Sequence, residues 1–171
     1  MTVPPPLLEV QGGPPTFLVL EADPGPTAEA AAAWAAAGLT VRALRGEKMH
    51  STSAMMDEFS AALQFPYYFG ANWPALGECL ADMDWLLPMT GIVVLIRNAE
   101  QVLIEEPSAE LEALVTVICK VSYDYAKPIE RGEWWDRPAV PFHVVLQAAG
   151  DAAEDASRRW QSAGATTLPL K

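Results

Sequence analysis

The chain has 171 residues, of which 51% are hydrophobic, and a formal net charge of −11. This length allows one domain with a substantial core, and the hydrophobic content argues against a disordered chain. Phosphate binding needs clustered lysine and arginine, so the acidic balance disfavours nucleic acids and anionic membranes as partners. A basic protein is the partner that the charge favours, although solubility alone would also account for it.

No targeting segment is evident in the sequence, and we expect a cytoplasmic protein. Residues 1–6 lack the basic and apolar regions of a secretory signal, and the alanine-rich stretch at 28–37 is too short to span a membrane. Cys79 and Cys119 both lie within apolar patterns. They are predicted to be buried, reduced thiols rather than part of a disulfide framework.

Residues 1–45 predict a β-α-β unit that follows a proline-rich, irregular lead-in at 1–15. Thr27 is expected to be the N-cap of the helix, and Gly38 is expected to end it. In chain order, the predicted elements are a strand at 16–21, a turn at 24–26, a helix at 28–37 and a strand at 39–44.

Helices and strands continue to alternate in the rest of the chain. The run GIVVLI at 91–96 is apolar on both faces, which is typical of a strand in the middle of a parallel sheet. Ser108 is expected to cap the longest helix. The alternation predicts an α/β fold with a mainly parallel sheet. The predicted elements are helices at 53–63, 72–83, 108–124 and 151–162, strands at 91–96, 142–146 and 166–170, and a tryptophan-containing loop at 127–138.

The most informative segment, FPYYFGANWPALGECL at 65–80, joins an aromatic loop to a short helix. Asn72 is expected to be the N-cap of this helix, with Pro74 in the first turn. A step of about 100° per residue then directs one side of the helix into the core and Glu78 away from it, with Asp82 one turn further on. The residues on the core side are Trp73, Leu76, Cys79, Leu80 and Met83.

Two features make the outer side of this helix a candidate docking surface. Small, uncharged residues surround Glu78, which would let the backbone of another protein approach closely. No lysine or arginine occurs between Lys48 and Arg97, whereas several acidic residues do. A field of one sign suits a cationic partner. An alanine-rich sequence also produces such a surface by accident.

The aromatic residues before the helix have two interpretations. Tyr67, Tyr68 and Phe69 either fill the core or face outward as anchors for a partner, and we expect one or two of them to face outward. Gly70 is expected to supply a backbone conformation that other residues do not adopt.

At these residues the sequence resembles the barstar family of bacterial intracellular ribonuclease inhibitors. The resemblance extends more weakly over 39–147, which leaves 16–38 and 148–171 as additions to this core within a single domain of residues 1–171. It implies a three-layer α/β fold that plugs the active site of a basic secreted ribonuclease or toxin nuclease, as an immunity protein does. The residues that carry the resemblance are Pro66, Tyr68, Phe69, Gly70, Asn72, Trp73, Ala75, Leu76, Glu78, Cys79 and Leu80.

The resemblance also implies roles for individual residues. The Glu78 carboxylate would take the place of an RNA phosphate among the catalytic arginine and histidine groups of the enzyme. Tyr68 would pack against a catalytic histidine, and Asn72 would cap the helix and hold the loop. The other residues expected in or beside the contact are Gly70, Trp73, Gly77 and Asp82.

Three positions depart from the family pattern. Pro74 stands where the family has a second contact acid, and Gly77 stands where it has a large aromatic residue. Near Lys120 the long helix lacks the further acid of the family, for which Asp124 is a loose candidate. These departures are compatible with a different target ribonuclease, with weaker binding or with loss of inhibition.

Two other classes of function are alternatives to an inhibitor. A barstar-like scaffold could serve as an adaptor or regulatory module, a role that exposed Trp134 and Trp135 would suit. For an enzyme the sequence offers only His50 and His143, and neither has cysteines or carboxylates at metal-ligand spacing. His143 lies in an apparent buried strand, and no glycine-rich phosphate-binding motif occurs. We therefore expect no catalytic residues, no cofactor and no metal.

Overall fold

Helices and strands alternate along the computed structural model, which describes residues 7–86 and 90–171. The alternation follows the prediction closely, because the central strands are short apolar runs and the second, third and fourth helices have a helical repeat of apolar residues. The elements are β1 (Thr16–Glu21), α1 (Pro24–Ala36), β2 (Thr40–Arg45), α2 (Thr52–Leu63), α3 (Trp73–Asp82), β3 (Ile92–Arg97), α4 (Ser108–Tyr125), β4 (Phe142–Ala148), α5 (Ala152–Ser162) and β5 (Thr166–Pro169).

The strands form one sheet in the order β2-β3-β4-β1-β5, and every pairing among the described strands is parallel. The central strands β3 and β4 pair with Val94 opposite Val144, and every residue of β4 is buried. Strands buried on both faces read as continuous apolar runs, as these two do. The predicted α/β fold with a mainly parallel sheet is confirmed.

Helices cover both faces of the sheet and create three layers. On one face α1 packs through Trp34 against Leu18, Val93 and Val145. On the other face α2, α3, α4 and α5 enclose the larger core, which includes Phe17 of β1. No helix in the described part of the chain has the length and apolar character needed to cross a membrane.

The helix α3 packs mainly on α4 rather than on the sheet. Leu76 and Leu80 of α3 are buried in the larger core, together with Leu114 and Ile118 of α4. The hydroxyl of Tyr125, in the last turn of α4, donates a hydrogen bond of 2.9 Å to the carbonyl of Leu80. This position places α3 at the outside of the molecule and leaves one of its sides free.

The N-terminal lead-in is described from Leu7 onward, and residues 1–6 of the predicted lead-in lie outside the described residues. Leu7 is fully buried in the core beneath α1. The Gln11 side chain donates to the carbonyl of Thr16 at 3.1 Å and accepts from its N–H at 3.2 Å. These bonds hold the lead-in at the start of β1.

Two predicted helix caps are wrong. Asp23 occupies the N-cap position of α1, and residues 24–26 form the first turn of that helix rather than a separate turn. Proline fits there because the first N–H groups of a helix have no partner within the helix. Thr27 is buried, and its hydroxyl donates to the carbonyl of Asp23 at 2.7 Å. In α4 the cap position belongs to Pro107 instead of Ser108, and no side chain caps the helix.

His143 is a buried core residue, as predicted. Its Nε2 lies 2.9 Å from the carbonyl oxygen of Glu9, and its Nδ1 lies 3.3 Å from the Gln11 side-chain nitrogen. Burial lowers the pKa of His143 below its ordinary value, against the smaller opposing effect of the Glu9 carbonyl. The folded protein therefore takes up this proton less readily than the unfolded chain does.

We predict that His143 makes the protein less stable as the pH falls. A base with a lowered pKa in the folded state contributes its full stability above the pKa of the unfolded chain, about 6.5, and loses it progressively below that pH. Between about pH 7.5 and 5.5, the melting temperature should fall more in the wild type than in His143→Gln. Thermal unfolding followed by circular dichroism measures this, and equal slopes in the two proteins would contradict the prediction.

Candidate protein-binding site

The start of α3 is fixed by Asn72, which is the N-cap as predicted. The Asn72 side-chain oxygen accepts a hydrogen bond of 2.9 Å from the N–H of Ala75. Its amide group donates to the carbonyl of Gly70 at 3.3 Å, which ties the preceding loop to the helix. Pro74 lies in the first turn, where its missing N–H breaks no hydrogen bond.

The helical repeat of α3 separates a buried side from an exposed side. Leu76, Cys79 and Leu80 are buried, whereas Glu78 and Asp82 are exposed. Trp73, predicted on the core side, is half-buried and packs at the edge of the core. Among the described residues, no lysine or arginine forms an ion pair with Glu78 or Asp82. Their carboxylates therefore face solvent on a surface that a partner can reach.

The aromatic loop divides its side chains between the surface and the core. Tyr67 is 100% exposed and Tyr68 is 68% exposed, and their rings meet edge to face with centroids 5.6 Å apart. Phe69 instead turns inward against Phe65, with ring centroids 4.9 Å apart. The ring of Trp85 meets Phe65 from another side, at 6.2 Å. Phe65, Phe69 and Trp85 thus form an aromatic cluster on the core side of the loop, while the two tyrosines face solvent.

The prediction that Gly70 supplies an unusual backbone conformation is wrong. The left-handed conformation in this loop belongs to Ala71, with φ of 48°, and not to Gly70. A Cβ atom at position 70 would lie 3.1 Å from the amide nitrogen of Asn72. A side chain at position 70 would therefore press against the capping amide group of Asn72, while the strain of a positive φ is carried by Ala71.

Two depressions flank Glu78. The first, which we call the tyrosine hollow, has a volume of about 260 Å³ and is bounded by Tyr68, Gly70, Glu78 and Asp82. The second, which we call the valine groove, has a volume of about 410 Å³ and runs between α3 and α4. The residues that line the valine groove are Trp73, Pro74, Gly77, Glu78, Ala81, Val117, Lys120 and Val121.

These depressions bring the predicted contact residues together. Tyr68, Gly70, Glu78 and Asp82 border the hollow, and Trp73 and Gly77 border the groove together with Glu78. Asn72 stands at the end of the helix, where it holds the loop. A Cβ atom at Gly77 would meet Val117 at 3.8 Å, an ordinary contact, so the missing side chain leaves the groove open.

Sequence reasoning expected α4 near this surface at Lys120 but missed the two valines that α4 contributes to it. Val117, Lys120 and Val121 line the groove because α4 packs along α3, far away in sequence. The only local signal was the spacing of the two valines four residues apart, which places them on one side of a helix. Lys120 pairs with Asp124 at 2.9 Å, and Asp124 borders neither depression. Asp124 thus reaches the edge of the groove only through its pairing with Lys120, and α4 places a lysine among the residues that line the groove.

Partial burial affects two titratable groups of α3. Burial raises the pKa of the Asp82 carboxyl, and the neighbouring charge of Asp84 raises it further. Burial likewise raises the pKa of the Cys79 thiol, which is buried as predicted, whereas Cys119 is only half-buried. In the described part of the chain, no three metal-binding side chains come together as a candidate metal site.

Comparison with known proteins identifies one family. A model of the family described as Barstar (barnase inhibitor) matches residues 39–147. No curated protein matches the chain significantly. The matched span runs from just before β2 to the penultimate residue of β4 and includes both depressions, the aromatic loop and α3.

Two solved structures resemble the fold more broadly. The ORC2 protein of Aeropyrum pernix in its ADP form superposes with a TM-score of 0.54 at 15% identity, over 92% of this chain and 43% of that one. A Drosophila ORC structure bound to DNA gives a TM-score of 0.53 at 11% identity, over 92% of this chain and 26% of that one. The chain thus spans less than half the length of these structures, and the likeness concerns the fold.

We predict that the cap at Asn72 stabilises the protein. Asn72→Ala removes the acceptor for the Ala75 N–H and should lower the free energy of unfolding by about 1 kcal/mol. Asn72→Asp keeps that acceptor and loses only the bond to Gly70, so it serves as the matched control and should retain most of the stability. Urea denaturation of the three proteins measures the difference. If the alanine variant is as stable as the wild type, the cap does not contribute.

Proposed function

The chain belongs to the barstar family, and from this we propose that it is a protein inhibitor of a basic secreted ribonuclease whose active site it occludes. The observation that carries the proposal is the position of Glu78. Its carboxylate is exposed, is not paired with a described lysine or arginine, and stands between the tyrosine hollow and the valine groove.

A carboxylate in this position resembles a phosphate group to a ribonuclease. The active site of such an enzyme must hold cationic groups that bind an RNA phosphate, and a carboxylate forms charge-assisted hydrogen bonds with the same groups. Pro74, Ala75 and Ala81 around Glu78 are small and uncharged, so the walls of a cleft can close around α3 without meeting long side chains. We assign Glu78 the central contact with the enzyme.

The tyrosine hollow supplies the second part of the proposed contact. Tyr68 is exposed and lines the tyrosine hollow together with Phe69 and Glu78. Aromatic side chains next to a charged anchor are common at the centre of protein interfaces. In the proposed complex the Tyr68 ring packs against a catalytic histidine of the ribonuclease.

The departures from the family pattern alter the charge and shape of the surface. Pro74 takes the place of one acid of the family pattern, and Lys120 lies where the long helix lacks another. Glu78 and Asp82 are therefore the acids on the exposed side of α3. Gly77 opens the valine groove, which offers an apolar wall to a side chain of the partner. We infer that the target ribonuclease inserts an apolar side chain beside its catalytic cations.

The likeness to the ORC structures does not bring nucleotide binding into the proposal. Anion binding at a helix N-terminus uses free N–H groups in the first turn. In α1, the helix that follows β1, Pro24 and Pro26 lack such groups, and the N-cap residue is the acidic Asp23. This helix end is therefore unsuited to a phosphate, and we propose no enzymatic activity.

Glu78→Ala tests the proposed mechanism in a binding assay against a panel of basic secreted ribonucleases. We predict that the variant loses at least about 2 kcal/mol of binding free energy, or roughly a 30-fold higher Kd. This magnitude is taken from measured interfaces, the barnase–barstar pair among them. Surface plasmon resonance at low salt measures both the rate of association and the affinity.

The matched control is Glu29→Ala, which also removes an exposed glutamate from a helix but lies on α1, on the opposite face of the sheet. It should bind within about 0.5 kcal/mol of the wild type. Raising the salt concentration should slow association of the wild type because screening weakens electrostatic steering. Equal affinity of Glu78→Ala and the wild type for every ribonuclease bound would show that the proposed mechanism is wrong.

A further inference from the structure

A pair of exposed tryptophans lies in the loop between α4 and β4. Trp134 is 84% exposed and Trp135 is 46% exposed, and their rings meet edge to face with centroids 5.4 Å apart. Such an exposed aromatic surface is characteristic of a binding site. Neither side chain contributes to the core of the protein as described.

The loop that carries these tryptophans is held in place by many hydrogen bonds. Ile129 and Arg137 form a two-bond antiparallel bridge across its base, at 2.8 and 3.1 Å. The Asp136 carboxylate accepts from the N–H groups of Arg131 and Gly132, at 3.0 and 2.7 Å. The tryptophans are therefore presented by an ordered loop, and a partner gains their contact without the entropy cost of ordering the loop.

The tryptophan pair faces the C-terminal end of α3 across a cleft of about 360 Å³, which we call the tryptophan cleft. Asp82 and Asp84 form the wall on the side of α3. Asp82 also borders the tyrosine hollow, so the cleft is continuous with the proposed ribonuclease-binding surface. A partner that covers Glu78 is therefore adjacent to the tryptophan cleft.

The electrostatic potential of the tryptophan cleft favours a cation. The last carbonyl groups of a helix carry partial negative charge, and Asp82, the last residue of α3, adds a full charge at that point. Asp84 lies close enough to raise the pKa of Asp82, and neither carboxylate is paired with a lysine or arginine among the described residues. Two unpaired acids at a helix C-terminus repel each other and are stabilised by an incoming positive charge.

The cation already present in the cleft is committed to other contacts. The Arg137 guanidinium lies 4.7 Å from the centre of the Tyr125 ring. Its N–H groups donate to the carbonyls of Lys127 and Pro138 at 3.1 Å and of Asp124 at 3.3 Å. Asp136 is engaged in the turn of the loop. Arg137 therefore forms part of the floor of the cleft and leaves Asp82 and Asp84 for a ligand.

We propose that the tryptophan cleft binds an arginine side chain of the basic protein that docks on Glu78, as a second anchor of the same interface. A guanidinium stacks on an indole and at the same time pairs with a carboxylate through its planar N–H groups, a combination that an ammonium group does not match. That this arginine belongs to a ribonuclease docked on Glu78 rests on the proposed function. The affinity of the cleft for a guanidinium is independent of the proposed function and can be tested without a ribonuclease.

The first experiment uses the full chain without a ribonuclease. The indole N–H signals of Trp134 and Trp135, assigned with the two Trp→Phe variants, are followed by NMR during titration with N-acetyl-arginine methylamide. N-acetyl-citrulline methylamide, a neutral compound of the same shape, is the ligand control, and N-acetyl-lysine methylamide tests the preference for a guanidinium. The arginine compound should bind saturably, and roughly fivefold more tightly than either control.

Variants of the chain locate the site. Asp84→Asn should weaken binding of the arginine compound about threefold, because it removes one carboxylate of the cleft. Asp155→Asn removes an exposed aspartate from α5, outside the cleft, and should leave binding unchanged. Equal binding of the arginine and citrulline compounds, or no effect of Asp84→Asn, would overturn a cation site. Equal binding of the lysine compound would overturn the preference for arginine.

The second experiment uses the ribonuclease that the chain binds through Glu78. Truncating both tryptophans in Trp134→Ala/Trp135→Ala should raise the Kd about tenfold. Ile104→Ala, at another exposed apolar side chain, should not change it. An unchanged Kd in the double variant would overturn the second anchor, while a Glu78 effect in the same assay would leave the proposed inhibition intact. Conversely, if the cleft binds the arginine compound but the chain binds no ribonuclease, the proposed inhibition is wrong and the cation site in the cleft is still supported.

Discussion

The position of α3 depends on Tyr125, which joins the parts of the molecule that surround the candidate site. Its ring stacks on Phe142 of β4, with centroids 5.3 Å apart and planes only 8° from parallel. Its hydroxyl donates to the carbonyl of Leu80 in α3, and the guanidinium of Arg137 lies over its ring. Burial raises the pKa of Tyr125 well above its ordinary value, so the hydroxyl keeps the proton that it donates. One buried residue thus relates the sheet, α3 and the tryptophan loop to one another.

The sheet and the exposed side of α3 were predictable because both follow from local patterns. A parallel strand buried on both faces is an uninterrupted apolar run, and GIVVLI predicted β3 with one residue of displacement. The direction of Glu78 follows from the helical repeat once Asn72 is placed at the cap. The start of α1 was wrong for an equally local reason, because Pro-Gly-Pro fits a turn as well as it fits the first turn of a helix.

The remainder of the site could not be predicted because it depends on contacts between distant segments. Lys120 and Val117 reach the valine groove only through the packing of α4 on α3, which no local pattern encodes. The sequence predicted a tryptophan-containing loop at 127–138, but the position of this loop against Asp82 and Asp84 required the fold. One local feature also differs: the sequence placed the unusual backbone conformation at Gly70, whereas Ala71 adopts it with φ of 48°.

The two exposed aromatic pairs stand at opposite ends of α3, and this arrangement bears on specificity. The tyrosine pair precedes the helix and the tryptophan pair faces its last turn, which a ten-residue helix separates by about 15 Å. A standard interface buries about 800 Å² on each partner, enough to span both pairs with Glu78 between them. Many basic proteins can bring a cation to Glu78. Only a partner that also carries a guanidinium about one helical turn beyond the group that meets Glu78 satisfies the tryptophan cleft at Asp82, so the two proposed anchors together select the geometry of the partner as well as its charge.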